Sequence, residues 1–494
     1  MSAPAGARVV IAGYGMAGAR VAAELRARAD AGYADTKVTV IGAEPERAYN
    51  RILLSAVLAG RAVEQDVALL EIADRGVDVR AGHEVIAIDP AARTVTVRDT
   101  TGPAGAAGEE LVGYDQLVLA TGSRAIVPGL AGLDPQRLPE RIAVFRTLAD
   151  CRRILAAARG AATALVLGGG LLGLEAARGL AGRGIAVQVV HAVGHLMERQ
   201  LDPGASAVLV GTLHRLGIVA HLDAAATAVN AGADGVTLEL ADGRRLRADL
   251  LVVACGVRPE TTLAGAAGLT VRRGIVVDDQ LRSSDPHIFA LGDCAEHDGA
   301  VSGLVAPAWE QARVLARVLT GDAGARYRPL PTVTRLKADG IDLAAMGSLD
   351  GGAEQLTFAD PVRGTYARLA IDADRLAGAV LIGDNPAVGT LIQLFDRGAP
   401  VPGDRRSLLL GRAAGGSTAT APATTPALMP DAATVCHCNT VTKGDLVRCW
   451  RSGAHDVPAV VAASHATTGC GTCRDAVEGI VDWLTRTDPV EVPS

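Results

Sequence analysis

The sequence predicts an α/β chain of doubly wound parallel layers, and three observations carry that expectation. A strand, a Gly-rich turn, an amphipathic helix and a second strand occur in that order twice, once from residue 7 and once from residue 162. Apolar residues make up 49% of the chain and aromatics only 3%, so Ala, Val, Leu and Gly must fill close-packed layers joined by tight turns. At 494 residues the chain is too long for one core, and two to four domains are expected.

Bulk properties exclude several classes. A net charge of −6 with no Lys/Arg cluster offers no field for nucleic acid. No apolar run reaches the roughly 18 residues that span a bilayer, so no membrane partner is expected. The start, "MSAPAGARVVIAGYG", lacks a cationic leader and does not read as a signal peptide. Eight cysteines are too few for a disulfide scaffold. Four of them cluster near the end, which fits metal ligation in a reducing, cytoplasmic setting.

In the first unit, "ARVVIAGYGMAGARVAAELRARADAGYADTKVTVIGAE", Gly13, Gly15 and Gly18 fall at G-x-G-x-x-G spacing. The first permits a tight turn, the second admits a pyrophosphate to the backbone, and the third lets helix and strand pack closely. Free N–H groups and the positive dipole end of the helix then face the phosphates. Glu44 closes the second strand, where a carboxylate can accept ribose hydroxyls. It stands 26 residues past Gly18, beyond the usual ~20, because "DAGYADT" makes a long loop.

The second unit, "ATALVLGGGLLGLEAARGLAGRGIAVQVVHAVGHLMERQLD", repeats the spacing at Gly168, Gly170 and Gly173. One dinucleotide site makes a dehydrogenase; two in one chain suggest a flavin facing a nicotinamide. The second strand here ends in His191. A carboxylate at that place would favour NAD and an Arg the 2′-phosphate of NADP, and neither is present. With no phosphate clamp, NADH is expected over NADPH, by a modest margin; Arg199 is the residue to examine if NADPH is preferred.

Three further stretches carry a family resemblance. "YDQLVLATGS" resembles the strand turn beneath the first nucleotide, with Thr121 and Gly122, and "DLLVVACGVRPE" its counterpart, with Gly256. "HIFALGDCAEH" resembles the segment whose Asp, here Asp293, binds a flavin ribityl chain. Together they resemble the pyridine-nucleotide–disulfide oxidoreductase superfamily over residues 8–325. "AYNRILLSAVLAG", "VFRTLADC", "GGGLLGLE", "HLMERQLD" and "TRLKADGIDL" look like the FAD–NAD(P)H module of assimilatory nitrite reductase large subunits and nitrate reductase electron-transfer subunits. That resemblance implies Arg51 beside the FAD pyrophosphate, Lys337 near the flavin ring and Glu175 beside the nicotinamide. It puts Pro307 and Ala308, from "LVAPAWEQA", at the pyrimidine side. Glu175 read alone is also a plain helix N-terminal acid favoured by the dipole.

One departure narrows the chemistry. Disulfide-reducing members carry C-x4-C or C-x2-C pairs, yet residues 44–60 and 152–254 hold no cysteine. Cys151, Cys255 and Cys294 stand alone and read as small buried residues. Electrons are therefore not expected to leave through a dithiol.

The runs within 327–405 resemble the superfamily's interface domain. Residues 411–433, "GRAAGGSTATAPATTPALMPDAA", read as a flexible linker. Beyond it, Cys436 and Cys438 form C-x-C and Cys470 and Cys473 form C-x2-C. Four thiolates bind either a closed zinc site or a [2Fe–2S] cluster, and ligand chemistry leaves both open. "VCHCNTVTKGDL…GCGTC" is similar to the bacterioferritin-associated-ferredoxin-like [2Fe–2S] domain, and a flavin upstream gives a cluster a role.

The expected architecture is two interleaved Rossmann-like domains, an α+β interface domain and a small C-terminal helical iron–sulfur domain. FAD is expected on 1–125 and 255–325, the nicotinamide coenzyme on 126–254, the interface domain over 326–410 and the cluster domain over 434–487. The implied function is transfer of electrons from NADH through FAD and the cluster to the catalytic subunit of a molybdenum-containing assimilatory nitrate reductase. No sirohaem repeats follow by residue 494, which suits an electron-transfer subunit. Two rivals stand beside it: a reductase for a sirohaem nitrite reductase or a rubredoxin- or ferredoxin-like carrier, and a zinc-stapled scaffold flavoprotein.

Overall fold

The computed structural model describes residues 6–69, 72–73, 76–102, 108–329, 331–336, 338–350, 354–385, 387–410, 426–436, 439, 441–468 and 473–488. Lys337, Cys438 and Cys470 lie outside the described residues, as do 411–425 of the expected linker.

Two five-stranded, all-parallel sheets repeat one plan. In the first, Arg8–Ala12 is central, flanked by Lys37–Gly42 and Asp78–Ala81 on one side and by Gln116–Leu119 and Ile288–Ala290 on the other. In the second, Thr163–Leu167 is central, flanked by Ala186–Val190 and Ile218–His221 on one side and by Leu250–Val253 and Ile142–Val144 on the other. These strands are near-continuous apolar runs because both faces are covered. Each unit also carries a three-stranded antiparallel meander just before its return strand.

The chain leaves the first sheet after Gln116–Leu119 and completes it only with Ile288–Ala290, after the whole second sheet has been laid down. The two crossings run side by side as an antiparallel ribbon, Ser123–Ala125 with Val257–Pro259. The two doubly wound domains are thus interleaved. A long helix, Val305–Leu319, packs on the first sheet against the glycine-turn helix Met16–Asp30, and the Trp309 indole N–H donates to the Met16 carbonyl at 3.3 Å.

An antiparallel five-stranded sheet follows, in the order Val333–Arg335, Leu343–Gly347, Arg375–Ile382, Thr365–Asp372, Glu354–Asp360. Its apolar face buries Leu391 and Ile392 of the helix Val388–Arg397.

The C-terminal unit has its own small core of Leu446, Trp450, Val460, Val477, Ile480 and Leu484. Its first helix, Lys443–Arg451, begins with a reciprocal cap: Asp445 N donates to Thr442 Oγ1 and Thr442 N to Asp445 Oδ2. Residues 426–433, assigned from composition to the linker, pack on this unit. Lys443 Nζ donates to the Met429 carbonyl at 2.8 Å and Ala433 is buried. The apolar Met429 and Ala433 make the end of this low-charge stretch part of a core.

Candidate functional site

Both glycine turns owe their shape to backbone crowding. A methyl on Gly13, at φ +120°, would lie 2.2 Å from the Ala120 carbonyl oxygen; on Gly168, at φ +115°, 2.3 Å from that of Ala254. A methyl on Gly18 would lie 1.9 Å from the Gly13 carbonyl oxygen, and one on Gly173 2.0 Å from that of Gly168. Only glycine fits at these four positions. Gly15 and Gly170, at the helix starts, look instead onto open space. A methyl on Gly170 would meet nothing within 4 Å, and one on Gly15 only the Arg51 guanidinium at 4.0 Å. Both turns open into one continuous cavity of about 1640 Å³. A single drug-sized ligand takes about 300–1,000 Å³, so the space suits more than one.

On the first wall, Glu44 pairs with Arg51 and accepts from the Tyr49 hydroxyl at 2.6 Å. Burial pushes the Tyr49 phenol up, so it stays protonated and donates, while its oxygen receives Leu148 N at 2.9 Å. This fixes Arg51 beside Gly15, where helix N–H groups and a guanidinium converge as phosphate binding requires. Asp293 Oδ2 accepts from Ser123 Oγ and from Arg146 Nη2, both at 2.7 Å. Thr121 Oγ1 donates to the Glu260 carbonyl at 2.7 Å, and Gly122, at φ +71°, turns the chain there. Pro307 and Ala308, in the first turn of Val305–Leu319, line the cavity.

On the second wall, Glu175 is buried in the helix Leu171–Ala181 and borders the cavity, as does Gly256 at φ +91°. His191 has its ring turned onto the glycine turn, where Nδ1 accepts from Gly169 N at 3.0 Å. Cys255 also borders the cavity, and burial pushes its thiol up to about 11. Burial does the same to Cys151, to about 11, and raises Cys294. None of the three is poised as a thiolate.

At the C-terminus the fold brings Cys436 and Cys473 together from either end of a helical excursion. The Cys473 thiol pulls the Cys436 thiol down to about 6 against burial, helped by the Asn439 and Thr467 N–H groups. Asn439 Nδ2 also lies 3.7 Å from Cys436 Sγ. Thr467 sits at φ +65°, a strained conformation for a β-branched residue, in the loop that wraps these sulfurs. This unit is seated on the first domain. Asn50 Nδ2 donates to the Thr468 carbonyl at 2.5 Å and Arg20 Nη1 to Asn439 Oδ1 at 3.3 Å. Cys473 and Ala476 line the same cavity as Gly15 and Pro307.

Residues 7–314 match the family model for pyridine nucleotide-disulphide oxidoreductase. The chain belongs to that family. Residues 332–398 match the rubredoxin NAD+ reductase C-terminal domain, and 434–483 match the BFD-like [2Fe-2S] binding domain. The chain is 35% identical to a nitrite reductase [NAD(P)H] of Bacillus subtilis, over 97% of this chain and 58% of that one. It is 33% identical to the assimilatory nitrate reductase electron transfer subunit of the same organism, over 99% of this chain and 61% of that one. The chain therefore spans about three-fifths of these relatives. Among solved structures, the putidaredoxin reductase–putidaredoxin complex superposes at a TM-score of 0.72, with 26% identity, 80% of this chain and 94% of that one covered.

As an oxidoreductase of this family the chain takes FAD and NAD(P)H, and its BFD-like domain takes a [2Fe-2S] cluster. The residues present fit these groups. Two Cβ-intolerant cradles open onto the cavity, and two buried thiols converge among N–H donors.

Sequence reading missed three residues here. Arg146 lies within "VFRTLADC" and Glu198, which lines the cavity beside Val193 and Met197, within "HLMERQLD", so each was visible as a charge in a quoted motif. Asn439, between C-x-C and the capping box, had only its proximity to Cys438 as a signal. Among the described residues no helix is long and apolar enough to cross a membrane.

Proposed function

We propose that this chain is the reductase and electron-transfer component of nitrate or nitrite assimilation. It oxidises NADH and gives the electrons singly to a separate catalytic subunit, best matched by a cytoplasmic, molybdenum-containing assimilatory nitrate reductase. When bound, FAD supplies the exchange between a two-electron hydride donor and one-electron carriers, and a [2Fe–2S] cluster supplies a one-electron relay.

In this reading residues 1–125 and 255–325 hold FAD and 126–254 the coenzyme. Gly13, Gly15, Gly18 and Arg51 seat the FAD phosphates, Glu44 its ribose and Asp293 its ribityl chain. Thr121 and Gly122 would turn the chain beneath the first nucleotide, Pro307 and Ala308 would meet the pyrimidine side, and Lys337 would lie near the flavin ring. Gly168, Gly170, Gly173, His191 and Gly256 shape the coenzyme site, and Glu175 borders the nicotinamide. Cys436, Cys438, Cys470 and Cys473 ligate the cluster.

The observation that carries the reading is the position of Cys473. It stands in the wall of the cavity into which both glycine turns open, which supports an exit for electrons that needs no dithiol. The names of the two Bacillus relatives supply the nitrogen chemistry. The overall reaction balances as nitrate, NADH and a proton giving nitrite, NAD+ and water, two electrons per nitrate. The test is reconstitution. Purified chain, NADH and a separately purified nitrate reductase catalytic subunit should form nitrite. A second reading, supply of a sirohaem nitrite reductase, is favoured by the nitrite reductase relative. It is the correct one if nitrate persists while nitrite is consumed with a sirohaem partner.

A further inference from the structure

The strand end where a ribose-binding carboxylate is expected carries His191, and the fold uses that side chain for something else. The ring is buried against the glycine turn; a methyl on Gly169 would lie 2.9 Å from His191 Cγ. Because Nδ1 accepts from Gly169 N, the ring carries its proton on Nε2. That nitrogen lies 3.2 Å from Glu198 Oε2. The approach sets the neutral Nε2–H dipole against the carboxylate but is not aligned as a hydrogen bond, so Nε2 has no hydrogen-bond partner of its own. The Glu198 side chain is 43% exposed and lines the cavity alongside Ala192 and Val193, the residues that follow the strand. The carboxylate missing from the end of the strand is thereby restored in space, seven positions later in the chain.

We propose that Glu198 accepts the adenosine-ribose hydroxyls of the coenzyme and selects NADH against NADPH, with His191 as the positioning residue that aims it. This rests on the reading of the second glycine turn as the nicotinamide site. A carboxylate accepts both hydroxyls of an unmodified ribose, whereas a 2′-phosphate would place like charges side by side. Arg199 also lines the cavity and is the competing residue, since a guanidinium there would favour the phosphate.

The experiment compares the holoprotein with its Glu198→Gln variant, using ferricyanide as acceptor and NADH or NADPH as donor. Titration of each protein with ADP-ribose reads binding without turnover. Loss of a charged acceptor should lower kcat/KM for NADH by about tenfold or more, mainly through KM, and leave or raise that for NADPH. The ADP-ribose dissociation constant should rise by a similar factor. A change in the NADH/NADPH ratio of less than threefold, or a wild-type preference for NADPH, overturns the proposal. A His191→Phe variant, which keeps a ring on the turn but loses Nε2–H, should shift the ratio in the same direction and by less. If wild-type protein oxidised neither coenzyme, the wider reading would fail, and the ADP-ribose titration would still decide the role of Glu198.

Discussion

Arg146 reaches across the interleaved crossing. Its guanidinium donates to Ser123 Oγ and Asp293 Oδ2, and so ties the first sheet's return turn to the segment that follows its last strand. Arg146→Ala would remove the guanidinium hydrogen-bonded to Asp293 and leave it the Ser123 hydroxyl and the longer-range charge of Arg51. Loss of one charge-assisted hydrogen bond is worth about 1.5–3 kcal/mol. FAD binding to the apoprotein, followed by flavin fluorescence, should therefore weaken by about tenfold or more, with the far-ultraviolet circular dichroism unchanged. Retained affinity would make Arg146 a structural clamp only. Residues of this kind were poorly legible in sequence. Gly13 and Gly168 could be read because no other side chain tolerates their backbone and close approach. The cysteine pairs could be read because thiolates need that spacing. Arg146 and Glu198 come to the cavity only in the folded chain, and one sequence gives no sign of which of its many arginines and glutamates will face a cavity.

Asp249 shows what holds an element in place. It precedes the strand Leu250–Val253, and its Oδ2 accepts from Ala162 N, Thr163 N and Thr163 Oγ1, each at 2.9 Å, at the start of the neighbouring central strand. The Thr163 hydroxyl and then the two amides hold its carboxyl below the usual carboxylate range. A depressed folded-state pKa means that the stabilisation is present above the unfolded value, near about 3.9, and is lost as pH falls through the folded one. Asp249→Ala should lower Tm at pH 7, and the gap between variant and wild type should close as pH drops below about 4. A gap independent of pH would place the stabilisation in packing instead. At this scale the strand and helix order was legible because hydrophobic runs and glycine turns alternate regularly. The end of the linker was not: Met429 and Ala433 look like low-complexity chain until Lys443 is seen reaching back to them.

At the scale of the whole molecule, the proposed relay has a seated exit. The contacts that seat the cluster domain include two side-chain hydrogen bonds: a neutral one from Asn50, contributing about 0.5–1.5 kcal/mol net, and one from the charged Arg20, contributing at most about 1.5–3 kcal/mol. Arg20 also pairs with Glu24 and lies 5.5 Å over the Trp309 ring. Individually modest contacts of this kind suit the proposed delivery of electrons to an external acceptor, which would need the domain to leave its seat. Arg20→Ala should slow reduction of the nitrate reductase partner severalfold while leaving NADH–ferricyanide turnover within about twofold. Equal losses in both would show that Arg20 supports the flavin site instead. Cys473→Ser should go further, abolishing partner reduction and the iron–sulfur absorption while ferricyanide turnover remains. None of this seating was legible in the sequence, since it joins residues more than 400 positions apart.

The central claim is that electrons from NADH reach the C-terminal cluster within one chain. Anaerobic rapid mixing of the holoprotein with NADH, with freeze-quenched samples followed by electron paramagnetic resonance, tests it most directly. A reduced [2Fe–2S] signal approaching one spin per chain is expected, appearing at a rate that does not change when the protein is diluted tenfold. A cluster that stays oxidised while the flavin absorbance bleaches, or a rate that falls in proportion to protein concentration, would contradict it.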